Sequence, residues 1–216
     1  MNLSFQTEDT IAAIATAIAP GVGGIAIVRV SGPLAIEAAK EIIHLKGDNS
    51  WESHQMLYGH VMNKSKEEAI DEVLTVIMEG PRSFTGEDVL EIHCHGGLIS
   101  VQRVLERIIE YPLIRRALPG EFSQRAVLNG RLDLTQAEAI SELISARSRR
   151  AAEIAMKGVS GNVNKQISLL RGKLLDLLSE LEARVDFEDE LPPLNEKELL
   201  NEVQFIQKDL QCLIDE

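Results

Sequence analysis

Apolar and polar positions obey two different rules along this chain, and the rule changes near Pro119. Upstream, short β-rich runs are bounded by clusters of Gly, Pro and Ser: GIAIVRV (24–30), EVLTVIM (72–78) and DVLEIHC (88–94). The run IAAIATAIAP (11–20) reads as a further strand. Two helices are predicted between these strands. One is LAIEAAKEIIH (34–44), with Ser31 or a neighbour as cap and Pro33 near its first turn. The other covers about 98–110, where Val101, Leu105 and Ile108 recur at spacings of four and three.

Downstream the period becomes helical. EFSQRAVLN (121–129) forms a short helix stopped by Gly130, a residue suited to the left-handed position after a helix. Thr135 and Glu138 have capping-box spacing and open a helix expected to run to about Lys157, with Gly158 and Gly161 breaking it. Val163, Ile167, Leu170, Leu174, Leu177, Leu181 and Val185 then draw a heptad-like stripe, suited to a bundle core or a dimer seam. Without neighbouring helices such a stripe is exposed and prone to association. DFEDELPP (186–193) ends it, and a last helix from Asn195 reaches the final residue without a capping signal, which suggests a chain cut from something longer. Two domains are expected, 1–119 and 120–216, in an α+β fold.

The chain of 216 residues is 44% hydrophobic and carries a net charge of −12, most of it in the tail. Residues 176–216 hold 13 acidic and 3 basic side chains, leaving 21 acidic and 19 basic in the other 175. A body this close to neutral lacks the clustered basic excess of a phosphate-backbone surface. RSRR (147–150) stands alone and reads first as a solvated helix face. Only Cys94 and Cys212 are present, which argues against a disulfide framework and for a reducing compartment. The first apolar run follows Glu8 and Asp9 without a basic flank, so it does not read as a signal peptide. No apolar run is long enough to span a bilayer, and a cytoplasmic location is expected.

Three stretches invite chemistry. GVGG (21–24) is glycine-rich, but a strand follows it instead of a helix, and GxxxxGK[ST] occurs nowhere, so a turn or close backbone approach is the better reading. Arg29 lies mid-strand on the face of Ile25 and Ile27. It is either a structurally paired arginine or a receptor for a carboxylate, and both readings stay open. In DVLEIHCH, alternation gives Leu90, Ile92 and Cys94 one face and Glu91, His93 and His95 the other. A metal would need a further ligand motif, and a general acid/base pair lacks an accompanying nucleophile. There remains a carboxylate on a rigid strand beside Gly96 and Gly97, which would let a ligand approach: the wall of a small-molecule pocket.

Three blocks, DTIAAIATAIAPGVGGIAIVRVSG (9–32), SFTGEDVLEIHCHGG (83–97) and LPGEFSQRAVLNGRLDLTQAEAISELI (118–144), in this order and separation resemble the N-terminal part of the tRNA modification GTPase family called MnmE or TrmE. The resemblance spans nearly the whole chain. It implies an N-terminal mixed-sheet α/β domain similar to the tetrahydrofolate-binding domain of aminomethyltransferases, followed by the first part of a helical bundle domain. It also implies homodimerisation through the first domain and binding of a tetrahydrofolate, as the 5-formyl or 5,10-methylene form. In the family the whole protein acts with the FAD-dependent partner MnmG on tRNA, forming 5-carboxymethylaminomethyl or aminomethyl uridine at the wobble position. Residue by residue, the folate-contacting positions fall on Arg29, Glu91 and Arg131, the last being lysine in some members. A carboxylate can accept from a pterin's 2-amino group and ring N–H, and arginines suit the carbonyl and glutamate oxygens.

No Walker A, GTPase switch or family C-terminal cysteine motif occurs in these residues. GTP, K+ and Mg2+ are therefore expected to belong to an inserted GTPase domain outside this chain, which is expected to bind without turnover and to be a fragment. The kinship also permits two other functions: a self-contained folate-dependent aminomethyl transferase, and a dimerisation scaffold without ligand.

Overall fold

A computed structural model of the chain describes residues 9–18, 23–47, 49–187 and 194–215. Gly21 and Val22 of the glycine-rich turn, the last two residues of the 11–20 run, and positions 188–193 of the acidic, proline-containing break lie outside the described residues. The chain divides into two units, Met1–Leu132 and Asp133–Glu216.

The first unit is built on a seven-stranded sheet: β1 (Thr10–Ile14), β2 (Ile25–Ser31), β3 (Ile43–Leu45), β4 (Leu57–Met62), β5 (Ala69–Met78), β6 (Val89–His95) and β7 (Ile114–Arg116). Their spatial order is β3-β4-β5-β6-β2-β1-β7, antiparallel throughout except for the β1–β7 pair. Alternation decides the two faces. Val28, Val30, Leu90, Ile92 and Ile77 are fully buried on one face, where α1 (Ala35–Ile42) and α2 (Leu98–Ile109) supply Ala38, Ile42, Val101, Val104 and Ile108 to the same core. The opposite face carries Arg29, Glu91, His93 and Leu74, brought side by side by the registers Arg29↔Glu91 and Leu74↔His93. β6 is paired on both sides, so its side chains stand on a part of the sheet that cannot easily shift.

The start of α1 differs from expectation. Ser31 does not cap it, because its hydroxyl turns inward to Thr85 (2.7 Å) and Glu87 (2.7 Å). The Leu34 amide instead donates to Thr10 Oγ1 at 3.0 Å, a cap supplied by a neighbouring strand. The predicted end is also shorter, since Ile43 and His44 leave the helix to form β3.

α3 (Glu121–Leu128) belongs to the first unit and ends at Gly130, whose φ of 68° is the left-handed geometry expected there. The second unit is helical: α4 (Leu134–Ser145), α5 (Arg149–Val159), α6 (Asn162–Asp186) and α7 (Glu196–Asp215). The single helix expected over 135–157 is thus two, separated at 146–148 and restarted by Ser148, whose hydroxyl accepts from the Ala151 amide at 3.1 Å. Gly158 lies inside α5 and not at a break. The capping box is also displaced by two residues: Asp133 caps α4, accepting from the Gln136 amide at 2.7 Å, while Gln136 Oε1 accepts from the Asp133 amide at 3.0 Å. Along the α6 stripe, Leu170 and Leu177 are buried with Ile206 of α7, whereas Ile167, Leu174 and Val185 are exposed. The Val163 side chain lies outside the described set.

Candidate ligand site on the open sheet face

Two of the three expected site residues, Arg29 and Glu91, meet directly. Across the β2–β6 register, Arg29 donates from Nε to Glu91 Oε1 at 2.8 Å, and its Nη2 forms an ion pair with the same oxygen at 2.6 Å. The second oxygen, Oε2, takes no hydrogen bond from a described residue, and His93 Nε2 lies 3.6 Å from it. That separation is too long for a hydrogen bond. His93 Nε2 is nevertheless buried, and it is the one buried side-chain nitrogen or oxygen among the described residues left without a partner. Arg29 is thus the structurally paired arginine of the two readings, and it fixes one carboxylate oxygen of Glu91 while leaving the other open.

Two aromatic rings frame the guanidinium. Phe84, in the loop before β6, has its centroid 5.5 Å from Arg29 Cζ, and Phe122 of α3 lies at 5.9 Å. These are cation–π distances, and the rings hold the arginine over the sheet. Farther along β6, an open cleft of about 520 Å³ is lined by Ile25, Tyr58, Glu72, Leu74, His93 and His95. Its lining mixes apolar residues with a few polar ones, the usual make-up of a small-molecule site.

Arg131, the third expected residue, follows α3 with an exposed side chain that no described residue hydrogen-bonds. Its backbone is fixed, donating to Ala126 O at 2.8 Å. Two residues earlier, Asn129 Nδ2 donates to Thr85 O at 2.8 Å, tying this end of α3 to the loop that carries Phe84. Arg131 is thus tethered beside the site's loop but does not touch the Arg29–Glu91 pair.

What holds α3 and this loop is a buried charge network that the sequence reading missed. Arg125, only 4% exposed at its side chain, donates to the Asp9 carbonyl (2.7 Å), to both Glu87 oxygens (3.2 Å each), to Asp9 Oδ1 and to Glu121 Oε1 (3.3 Å). Arg115 binds two of these three acids, Glu121 through Nη1 at 2.9 Å and Asp9 through Nε at 2.6 Å. Burial alone would raise the Glu121 carboxyl, but Arg115, the Leu118 amide and Arg125 outweigh it and hold it at about 2. The one available signal was the i,i+4 spacing of Glu121 and Arg125 in EFSQR.

The two histidines separate in role. His95 Nδ1 sits 2.6 Å from Asp71 Oδ1, while the His95 amide (2.9 Å) and the Ser100 hydroxyl (2.8 Å) donate to Asp71 Oδ2. Asp71 raises the His95 pKa through its hydrogen bond and its charge. Asp71, on β5, thereby fastens both the end of β6 and the start of α2. Gly96 likewise serves packing, not ligand approach as expected: a Cβ there would fall on the Gly23 carbonyl and within 2.8 Å of the Ile25 nitrogen. Among the described residues no group of three or more His, Cys, Asp or Glu side chains is placed to hold a metal. No helix of the described residues is long and apolar enough to cross a membrane.

Against known proteins, the family model described as GTP-binding protein TrmE N-terminus matches residues 10–131, and the one described as MnmE helical domain matches residues 134–216. Similar proteins include the tRNA modification GTPase MnmE of Prochlorococcus marinus (strain MIT 9303), 64% identical over 216 residues, covering 100% of this chain and 46% of the relative. The protein of the same name from Synechococcus sp. (strain CC9902) is 62% identical over 206 residues, covering 95% of this chain and 46% of the relative. The chain therefore spans about half the length of these curated relatives.

Proposed function

We propose, from the premise that this chain belongs to the MnmE (TrmE) family, that its first unit binds a tetrahydrofolate on the open sheet face through Glu91, Arg29 and Arg131. The observation that carries this reading is the half-occupied carboxylate of Glu91. Arg29 saturates Oε1 and fixes the side chain, while Oε2 is left to accept an N–H from a ligand. The residues present fit a pterin: an acceptor on a rigid strand, an unpartnered imidazole nitrogen 3.6 Å away, and two phenylalanines at the rim. Arg131, exposed at the end of α3, is suited to the carboxylates of the glutamyl tail. A bound folate, as the 5-formyl or 5,10-methylene form, supplies the one-carbon unit. These residues bind and orient it.

In this reading the boundary expected at 119 moves to the end of the first unit: Met1–Leu132, which includes Arg131, is the folate-binding and dimerisation domain and Asp133–Glu216 the first part of the helical domain, of a cytoplasmic homodimer. The whole protein, with MnmG, modifies the wobble uridine of tRNA to its 5-carboxymethylaminomethyl or aminomethyl form. GTP, K+ and Mg2+ belong to a GTPase domain that these residues do not encode, as no GxxxxGK[ST] occurs among them. Calorimetric titration with 5-formyltetrahydrofolate, with molar mass measured at the same concentrations, tests the site. Saturable binding near one ligand per subunit is expected, weakened roughly tenfold or more by Glu91→Gln, which removes a charge-assisted acceptor. Absence of binding by a folded wild-type dimer overturns the assignment.

A further inference from the structure

We infer that His93 is a further ligand-binding residue of this site: its Nε2 and Glu91 Oε2 form a donor–acceptor pair that takes the lactam edge of a pterin and sets a preference for a 4-oxo over a 4-amino ring. The inference rests on the folate reading and adds to it a residue and a specificity.

Three observations converge. His93 Nε2 is buried without a partner, an arrangement that native structures rarely leave unexplained. Glu91 Oε2 is open while the Arg29 hydrogen bond and its ion-pair contact both go to Oε1. The two atoms lie 3.6 Å apart, too far to satisfy each other and close enough for two neighbouring atoms of one ring edge to bond them together. Neither side chain is carried toward the other by strand movement, since β6 is hydrogen-bonded to β5 and β2 along its length.

The surroundings define the ligand. The cross-strand neighbours of His93 are Leu74 and Ile27, which offer a flat apolar contact and no hydrogen bond. The cleft continues past them to Tyr58, whose hydroxyl is engaged by Glu72, and to His95, whose Nδ1 is engaged by Asp71. The Tyr58 hydroxyl and His95 Nδ1 thus have partners within the protein, whereas Glu91 Oε2 and His93 Nε2 have no hydrogen bond from a described residue. The Glu91 charge beside Nε2 favours the imidazole tautomer with its hydrogen there, making His93 the donor and Glu91 the acceptor. The complementary edge has an N–H next to a carbonyl, which a 4-oxopterin presents at N3 and O4. A 4-amino ring reverses both atoms, setting an unprotonated nitrogen against Oε2 and an amino group against Nε2–H.

The experiment compares binding of 5-formyltetrahydrofolate and its 4-amino counterpart to wild type, His93→Phe, His93→Gln and Glu91→Gln, each checked for an unchanged melting temperature. Wild type is expected to prefer the 4-oxo ligand about tenfold or more, His93→Phe to lose most of that preference, and His93→Gln, which restores an N–H, to recover it. A purely packing role for His93 would leave the preference ratio unmoved. If wild type binds, Glu91→Gln weakens it and His93→Phe changes neither affinity nor preference, the His93 assignment is overturned while the folate site stands. If wild type binds neither ligand, both fall.

Discussion

Arg125→Met removes the centre of the buried charge network while keeping its length and apolar stem. The structure shows where the cost would concentrate. Glu121 keeps Arg115 Nη1 (2.9 Å) and the Leu118 amide (2.7 Å), and Asp9 keeps Arg115 Nε (2.6 Å). Glu87 has no second cation among the described residues: it retains the Ser31 hydroxyl at 2.7 Å and loses two contacts of 3.2 Å, with its side chain 13% exposed. Stripping one partner from a buried pair typically costs 3–5 kcal/mol, so a loss of about 3 kcal/mol is expected here, with the other two acids still neutralised. Trp51, the one tryptophan of the chain, packs against the core of the first unit, so its fluorescence during denaturant unfolding reports this unit separately from the helical one. Adding Glu87→Gln to Arg125→Met removes the uncompensated charge and should recover roughly 1–2 kcal/mol of the loss, a coupling readable by a double-mutant cycle. A cost below about 1 kcal/mol for Arg125→Met, or a further loss on adding Glu87→Gln, would refute the picture of a buried, cation-dependent Glu87.

Two further outcomes follow from the neighbouring elements. The Asp71 hydrogen bond and charge raise the His95 pKa, so this pair's contribution is fully present below the ordinary histidine value of about 6.5 and is lost as pH rises through the raised one. An NMR titration should place the His95 ring midpoint above that value and Asp71→Asn should return it, whereas a midpoint at or below it in wild type would rule the pairing out. Burial, helped by the Asp71 charge, pushes the Cys94 thiol up to about 11, while Cys212 is exposed. A thiol reagent should therefore modify one cysteine per native chain quickly and the second only on unfolding; two fast thiols would contradict the buried position.

How much of this was legible depended on how local each signal was. DVLEIHC announced its strand and its two faces by alternation alone, and Glu91 and His93 stand on the face assigned to them. The Arg29–Glu91 bond was not legible from pattern, because it needs β2 and β6 to pair in one register across 62 residues. The network was harder still, since Arg125 reaches Asp9 across 116 positions. One local signal failed because two were equivalent. Asp133-x-x-Gln136 and Thr135-x-x-Glu138 both have capping-box spacing, and the tie is resolved because Asp133 Oδ1 accepts from both the Gln136 amide and the Thr135 hydroxyl (2.6 Å). The break before α5 was written in Ser148, but the surrounding arginines are good helix formers and masked it.

The contrast between the two polar clusters of the first unit is itself an argument about function. In the network around Arg125, acids and cations bond one another several times over, and the consequence is mechanical: α3 and the 80–88 loop are locked to β1 and β2. On the open face, the same chemistry is left half complete. One cation takes one oxygen of Glu91, the other oxygen and the His93 nitrogen remain, and the strand beneath them is held on both sides. Full satisfaction would have been available with little change, since a donor within hydrogen-bond reach of Oε2 would close the site. An unsatisfied pair on a rigid strand, next to a saturated network that fixes its rim, has the form of a preorganised receptor, in which ordering costs are met on folding and the ligand's own hydrogen bonds complete the structure.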